Sequence, residues 1–175
     1  MEKILFEKGA AGVNQANRGR SLEDLVEQYL ANAPGVKLFR QANRWVPLAG
    51  GARAFPARGA PADFIGAVRG VPVVLECKEV SCSNRFPLTE SRLPEKEVRA
   101  MREFEAAGGK AYLLVAFWEK GVLSLYPFPF VESALAKGRK SLAAAEGTQV
   151  AVSRILSLFD ILQVREKEAT TQAMF

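Results

Sequence analysis

Asp63-Phe64-Ile65-Gly66-Ala67-Val68-Arg69-Gly70-Val71-Pro72-Val73-Val74-Leu75-Glu76-Cys77-Lys78-Glu79-Val80 is the stretch that decides how this chain folds. Residues 71–80 are rich in β-branched side chains, and Arg69-Gly70 marks a turn after an apolar run, so the whole reads as a hairpin of a central sheet. Side chains alternate along a strand, which sends Glu76 and Lys78 to one face and Leu75 and Cys77 to the other. Two opposite charges therefore sit in a run that otherwise favours burial. Burying them costs several kcal/mol unless they are paired or bind an ion. Antiparallel pairing about the turn sets Asp63 opposite the far part of the second strand, near Glu76 and Lys78. Two carboxylates and a lysine thus converge without help from any other part of the chain.

Upstream, Ser21 is a good N-cap and Asp24 nearly completes a capping box. Leu22, Leu25, Val26, Tyr29 and Leu30 recur at helical spacing, and Pro34-Gly35 stops the helix near Ala33. A strand is expected over 36–41, followed by an extended arm. From Gln28 to Ala62 there is no acidic residue, while Lys37, Arg40, Arg44, Arg53 and Arg58 alternate with Phe39, Trp45 and Phe55. Cations for phosphates and rings for stacking are what contact with nucleic acid requires. The plainer alternative is a solvated loop whose rings pack on the core.

Downstream, residues 81–93 read as loop. Pro94 opens a helix with Val98, Met101 and Phe104 on its apolar stripe, closed by Gly108-Gly109. The continuous apolar run 111–117 is expected of a strand covered on both faces. Glu119-Lys120-Gly121 turns it back into a strand over 122–126, after which Pro127 and Pro129 break the pattern. A short helix is expected over 131–137. Helical periodicity returns at 150–164 through Ile155, Leu156, Phe159 and Leu162, ahead of a frayed tail. The order predicts an α/β fold with a mixed central sheet flanked by helices. One nuclease domain over 1–146, with its arm at about 42–60, would precede a C-terminal helix and tail over 147–175.

Composition narrows the chemistry. The 175 residues include no histidine and two cysteines, Cys77 and Cys82, so the usual four-ligand zinc site, a Ser-His-Asp triad and a Cys-His pair are all excluded. The thiols read as two reduced cysteines of a cytosolic protein. No apolar run is long enough to span a bilayer and no secretory signal is evident, which sets a cytoplasmic expectation without a membrane partner. Net charge is +5, consistent with a polyanionic partner. Any catalysis falls to carboxylates and lysine. Asp63, Glu76 and Lys78 suit phosphodiester hydrolysis, because hard carboxylate oxygens bind Mg²⁺ (or Mn²⁺) and a nearby lysine can orient or deprotonate the attacking water. The competing interpretation is a cross-strand salt bridge in an edge hairpin.

Asp63 followed by Glu76-Cys77-Lys78 after a hairpin resembles the PD-(D/E)xK site of the restriction-endonuclease-like superfamily. Further segments resemble RecU-type Holliday junction resolvases. Asn17-Arg18-Gly19-Arg20-Ser21-Leu22-Glu23 is similar to the family's N-terminal motif, Asp63-Phe64-Ile65-Gly66 to the motif around its first catalytic aspartate, Phe86-Pro87-Leu88 to the segment after the catalytic strand, and Gly138-Arg139-Lys140-Ser141 to a near-terminal segment. The resemblance implies a restriction-endonuclease-like fold with a protruding stalk that enters four-way DNA junctions. It implies a homodimer whose symmetry-related sites cut two opposed strands. It also implies that Asp63, Glu76 and Glu23 hold the metal, with Glu27, one helical turn on, the competing choice. Lys78 then positions the water, Arg18, Arg44, Arg53 and Arg58 contact the DNA backbone, and recombination proteins become candidate partners.

Two departures stand out. Pro61-Ala62 occupy positions where the family usually has threonines. Lys96-Glu97 stand where it often has a His-Gln pair, so Glu97 either replaces a water-orienting glutamine or is merely exposed. Rival readings are another PD-(D/E)xK nuclease, restriction-like or end-acting, and a non-catalytic DNA-binding module on the same fold.

Overall fold

The computed structural model describes residues 21–41, 45–47, 54–56 and 62–158. Ser21 caps the first helix, α1 (Leu22–Leu25), through a reciprocal capping box with Asp24, and the helix widens into a π-helical turn over Val26–Leu30. Leu22, Leu25, Val26 and Leu30 are all buried, so the amphipathic stripe survives the change of pitch.

Ten strands follow the helix or lie between later ones: β1 (Val36–Arg40), β2 (Trp45–Pro47), β3 (Ala54–Pro56), β4 (Phe64–Val68), β5 (Val71–Val80), β6 (Arg85–Pro87), β7 (Lys110–Phe117), β8 (Val122–Pro127), β9 (Ser141–Ala143) and β10 (Thr148–Ala151). Six form one mixed sheet in the order β1-β4-β5-β7-β8-β10. The expected hairpin is β4-β5, closed by Arg69 and Gly70, both at positive φ as the turn that matches sheet twist requires. Strand β7 runs parallel to β5, and helix α2 (Glu95–Ala106) makes the crossover. Strand β1 pairs with β4, Leu38 against Gly66. A Cβ at Gly66 would sit 1.9 Å from the Lys37 carbonyl oxygen, so this close approach admits only glycine.

Each face of the sheet carries its own core. On one, Val73, Leu75 and Cys77 pack with α1, Leu114, Leu123, Val150, Ile155 and Leu158. On the other, Val74, Leu113, Val115 and Phe117 pack with Val98 and Met101 of α2 and with Phe128 and Val131 of helix α3 (Phe128–Ala136). Covering on both faces accounts for the unbroken apolar run of β7. Among the described residues no helix is long and apolar enough to cross a membrane.

Three expectations need correction. The helix expected over 131–137 begins at Phe128, because Pro127 serves as its N-cap and Pro129 lies in the first turn, where no amide hydrogen is needed. The loop over 81–93 contains β6, whose Phe86 is fully buried opposite Leu142 of β9. The C-terminal helix expected from Val150 is instead β10, paired with β8, followed by a 3₁₀ segment over Val152–Ser157. The sheet therefore continues beyond 146. Val150 and Val152 alternate as a strand requires, and with Ile155 and Leu158 they close the α1 face, while Leu156, counted on the helical stripe, is 55% exposed. Residues 159–175 lie outside the described residues. So does most of the expected arm over 42–60, within which β2 and β3 form an antiparallel pair.

Candidate active site

Strand β5 is twice as long as its partner β4. Their pairing ends at Phe64 opposite Leu75, and beyond it β5 continues alongside β7 only. The next amide with no ladder partner on that side belongs to Cys77, and the Asp63 side chain takes it: Cys77 N–H donates to Asp63 Oδ2 at 2.8 Å. Asp63 thus closes the end of the β4-β5 ladder, and one of its oxygens is held there.

Glu76 lies opposite Asp63 in the continued register and is 3% exposed. Lys78, two residues on and on the same face, donates from Nζ to Glu76 Oε1 at 2.6 Å and to Glu97 Oε2 at 2.8 Å. Glu97 reaches the site from the first turn of α2, the helix that covers this face. Asp63, Glu76, Lys78 and Glu97 accordingly form one group, and no buried side-chain nitrogen or oxygen among the described residues lacks a partner.

Burial, and then the negative charge of Asp63, push the Glu76 carboxyl up to about 8, against the opposing pull of Lys78. Burial also raises Asp63, an effect that the Cys77 amide partly offsets and the charge of Glu23 reinforces. Burial of Lys78 works against its charge, but Glu76 and Glu97 outweigh it and hold the ammonium above its ordinary value. Lys78 is therefore a hydrogen-bond donor at neutral pH, not a base. Glu76 and Lys78 shift in the same direction because Glu76 also faces Asp63: a second buried negative charge costs more than the single ammonium returns.

The remaining sequence candidates fall elsewhere. Glu23 lies on α1, its Oε2 2.5 Å from Arg40 Nη2, while Arg40 Nη1 meets Asp24 Oδ1 at 2.8 Å and Glu27 Oε2 at 3.0 Å. Glu23 and Glu27, rivals as metal ligands, are thus both claimed by one guanidinium. Arg18, Arg44, Arg53 and Arg58 lie outside the described residues.

Two residues escaped the sequence reading. Arg40, counted only among the arm's cations, gathers three carboxylates of α1. Glu79, on the α1 face of β5, accepts the first helical amide, Leu22 N–H, at 2.6 Å and the Trp118 indole N–H at 2.8 Å. Its backbone carbonyl accepts from Arg92, whose guanidinium lies over the Phe86 ring. Glu79 ties α1 to the strand that carries Glu76 and Lys78. The available signal was its parity: a charged side chain on the buried face of an apolar strand requires partners.

The donor set fits a hard divalent ion. Among the described residues no three acid or thiol side chains form a ready-made cage. Mg²⁺ does not need one, since it binds through one or two carboxylates and keeps several waters. Asp63 and Glu76 offer such a pair, and the raised Glu76 carboxyl is one that a cation would relieve of its proton.

Residues 51–162 match the family model described as Recombination protein U. The chain belongs to the RecU family. That family comprises Holliday junction resolvases, and this RecU chain is an endodeoxyribonuclease of that class. Among solved structures it is similar to Hjc of Archaeoglobus fulgidus, a Holliday junction resolvase from an archaeal hyperthermophile. That likeness is at 18% identity with a TM-score of 0.40, over 63% of this chain and 77% of that one. No curated protein matches the sequence.

Proposed function

We propose that this RecU-family protein resolves four-way junctions as a Mg²⁺-dependent homodimer that makes symmetric cuts in two opposed strands. The observation that carries the reading is the meeting of Asp63, Glu76 and Lys78 at one end of the β4-β5 ladder. Asp63 and Glu76 would hold the ion, which when bound supplies Lewis-acid stabilisation of the charged phosphate and a more acidic water. Asp63 enters this role already oriented, because its second oxygen is fixed by the Cys77 amide. Lys78, kept protonated by two carboxylates, donates a hydrogen bond that orients the nucleophilic water or an oxygen of the scissile phosphate. Glu23 joins the ion only by leaving Arg40. Arg18, Arg44, Arg53 and Arg58 take the DNA backbone. A two-fold dimer offers the same site twice, which is the symmetry that a junction cut on opposed strands demands.

The test is purified protein on a synthetic mobile four-way junction and on linear duplex of the same sequence, with and without Mg²⁺, reading cut positions on all four strands. Paired cuts on opposed strands of the junction, dependent on the metal and absent from linear duplex, are expected. Equal cutting of the duplex would instead favour a restriction-like or end-acting nuclease, and binding without cutting on any DNA form a non-catalytic module.

A further inference from the structure

Glu97 is an acid where the family often places a neutral glutamine, and the structure brings it into the site. It extends from the first turn of α2, is only 16% exposed, and accepts from Lys78 Nζ at 2.8 Å. The same ammonium hydrogen-bonds Glu76 at 2.6 Å. Lys78 is thus held from two sides, by an acid proposed to bind the ion and by one with no metal-holding role in that scheme.

We infer that Glu97 is a positioning residue for cleavage: it retains the Lys78 ammonium in the site once a divalent cation has taken up Glu76. The inference rests on the function proposed above. A carboxylate bound to a dication is a poor partner for a second cation, because the two positive charges repel at short range in a partly buried site. Lysine has a long flexible stem and many rotamers, so an ammonium released by Glu76 would leave for solvent unless another group kept it. Glu97 comes from a different element, helix α2, whose position is set by Val98 and Met101 in the core. Its anchor therefore does not depend on what happens to Glu76. The formal charges agree: Asp63, Glu76 and Glu97 against Lys78 leave minus two, the charge that one divalent ion neutralises.

The test uses the full chain with Glu97→Ala and Glu97→Gln. Glutamine keeps an acceptor oxygen at the same reach but removes the charge, and the circular dichroism of both variants confirms that α2 is intact. In Mg²⁺-dependent cutting of a four-way junction, Glu97→Ala is expected to lower kcat by about 10²-fold with KM unchanged, the scale of a misplaced reacting group. Glu97→Gln is expected to restore most of that loss. A Glu97→Ala enzyme that cuts at the normal rate, a loss confined to KM, or a glutamine variant no better than alanine would each overturn the inference. A second measurement needs no cutting. In calorimetric titration with Mn²⁺ alone, Glu97→Ala leaves Lys78 to compete for Glu76, so Mn²⁺ affinity falls severalfold, and adding Lys78→Met restores it. Unchanged Mn²⁺ affinity in Glu97→Ala, or no recovery in the double variant, overturns the role of Glu97. Failure of the unmodified protein to cut any junction would instead remove the proposed function and leave the Mn²⁺ titration to decide on Glu97.

Discussion

Two groups of acids lie at adjoining strand ends and behave in opposite ways. Arg40 is paired with Phe64 across β1-β4, next to Asp63, whose backbone carbonyl accepts from Gln41 N–H at 2.7 Å. Around Arg40 stand Glu23, Asp24 and Glu27, with side chains 37%, 47% and 55% exposed. Around Lys78 stand Glu76 and Glu97, at 4% and 16%. Both groups place several carboxylates on one cation. In the exposed group the Arg40 hydrogen bond, then those from Ser21, hold the Asp24 carboxyl below its ordinary range, whereas in the buried group desolvation drives Glu76 up to about 8. Water, more than the number of charges, makes the difference: where it reaches the carboxylates a guanidinium satisfies them, and where it does not they retain a proton that a divalent ion can displace.

The largest effect should come from removing the buried group's fixed ligand. Asp63→Ala is expected to reduce junction cleavage by at least about 10³-fold while gel-shift affinity for the junction barely changes. Equal loss of binding would mean that Asp63 acts through the ladder end and the Cys77 amide instead of through an ion.

The spacing between the two groups depends on Gly66, whose neighbourhood forbids a Cβ. Gly66→Ala should force β1 away from β4 and cost about 1–3 kcal/mol of stability, read as a lowered denaturation midpoint. Retention of full stability would show that β1, with Arg40, moves independently of the site.

Glu76→Gln sharpens the electrostatic contrast. A carboxyl with a raised folded pKa keeps its proton between about 4.5 and about 8 while the unfolded chain loses it, so folding is penalised progressively as pH rises through that window. Glutamine retains an acceptor for Lys78 and removes the penalty. In the metal-free protein the variant should melt several degrees higher at pH 8 and with no advantage at pH 4, although it no longer cuts. A Tm difference independent of pH would refute burial as the cause.

Arg40→Ala is expected to have the smallest effect: a loss of a few degrees in Tm at low salt that shrinks at high salt, because exposed ion pairs are weak and screened. If it also raises the apparent Mg²⁺ affinity in cleavage assays, Glu23 was being withheld from the ion. Unchanged affinity would assign Glu23 to Arg40 alone.

Much of the site could be read before any coordinates, and the reason is local. Glu76 and Lys78 are two residues apart on a strand, so their shared face follows from alternation, and the Arg69-Gly70 turn carries Asp63 into register with Glu76 by counting. The same kind of signal misled at the C-terminus. Ile155 and Leu156 fit a helical stripe, but β8 had a free edge to cover, and pairing by Thr148–Ala151 prevailed over periodicity. Glu97 was ambiguous for a related reason: nothing in Lys96-Glu97 states which way α2 will face, and only Val98 and Met101 entering the core turn Glu97 toward Lys78.

By itself the amino-acid order determined the hairpin, the common face of Glu76 and Lys78, the capped first helix and the family, because each depends on spacing within a few residues or on motifs kept in sequence. Tertiary structure alone decided that Glu97 joins the buried group, that Arg40 gathers Glu23 and Glu27, and that Glu79 ties α1 to β5. Those contacts join elements through long-range packing, and whether water reaches each carboxylate is settled only when the whole sheet is covered.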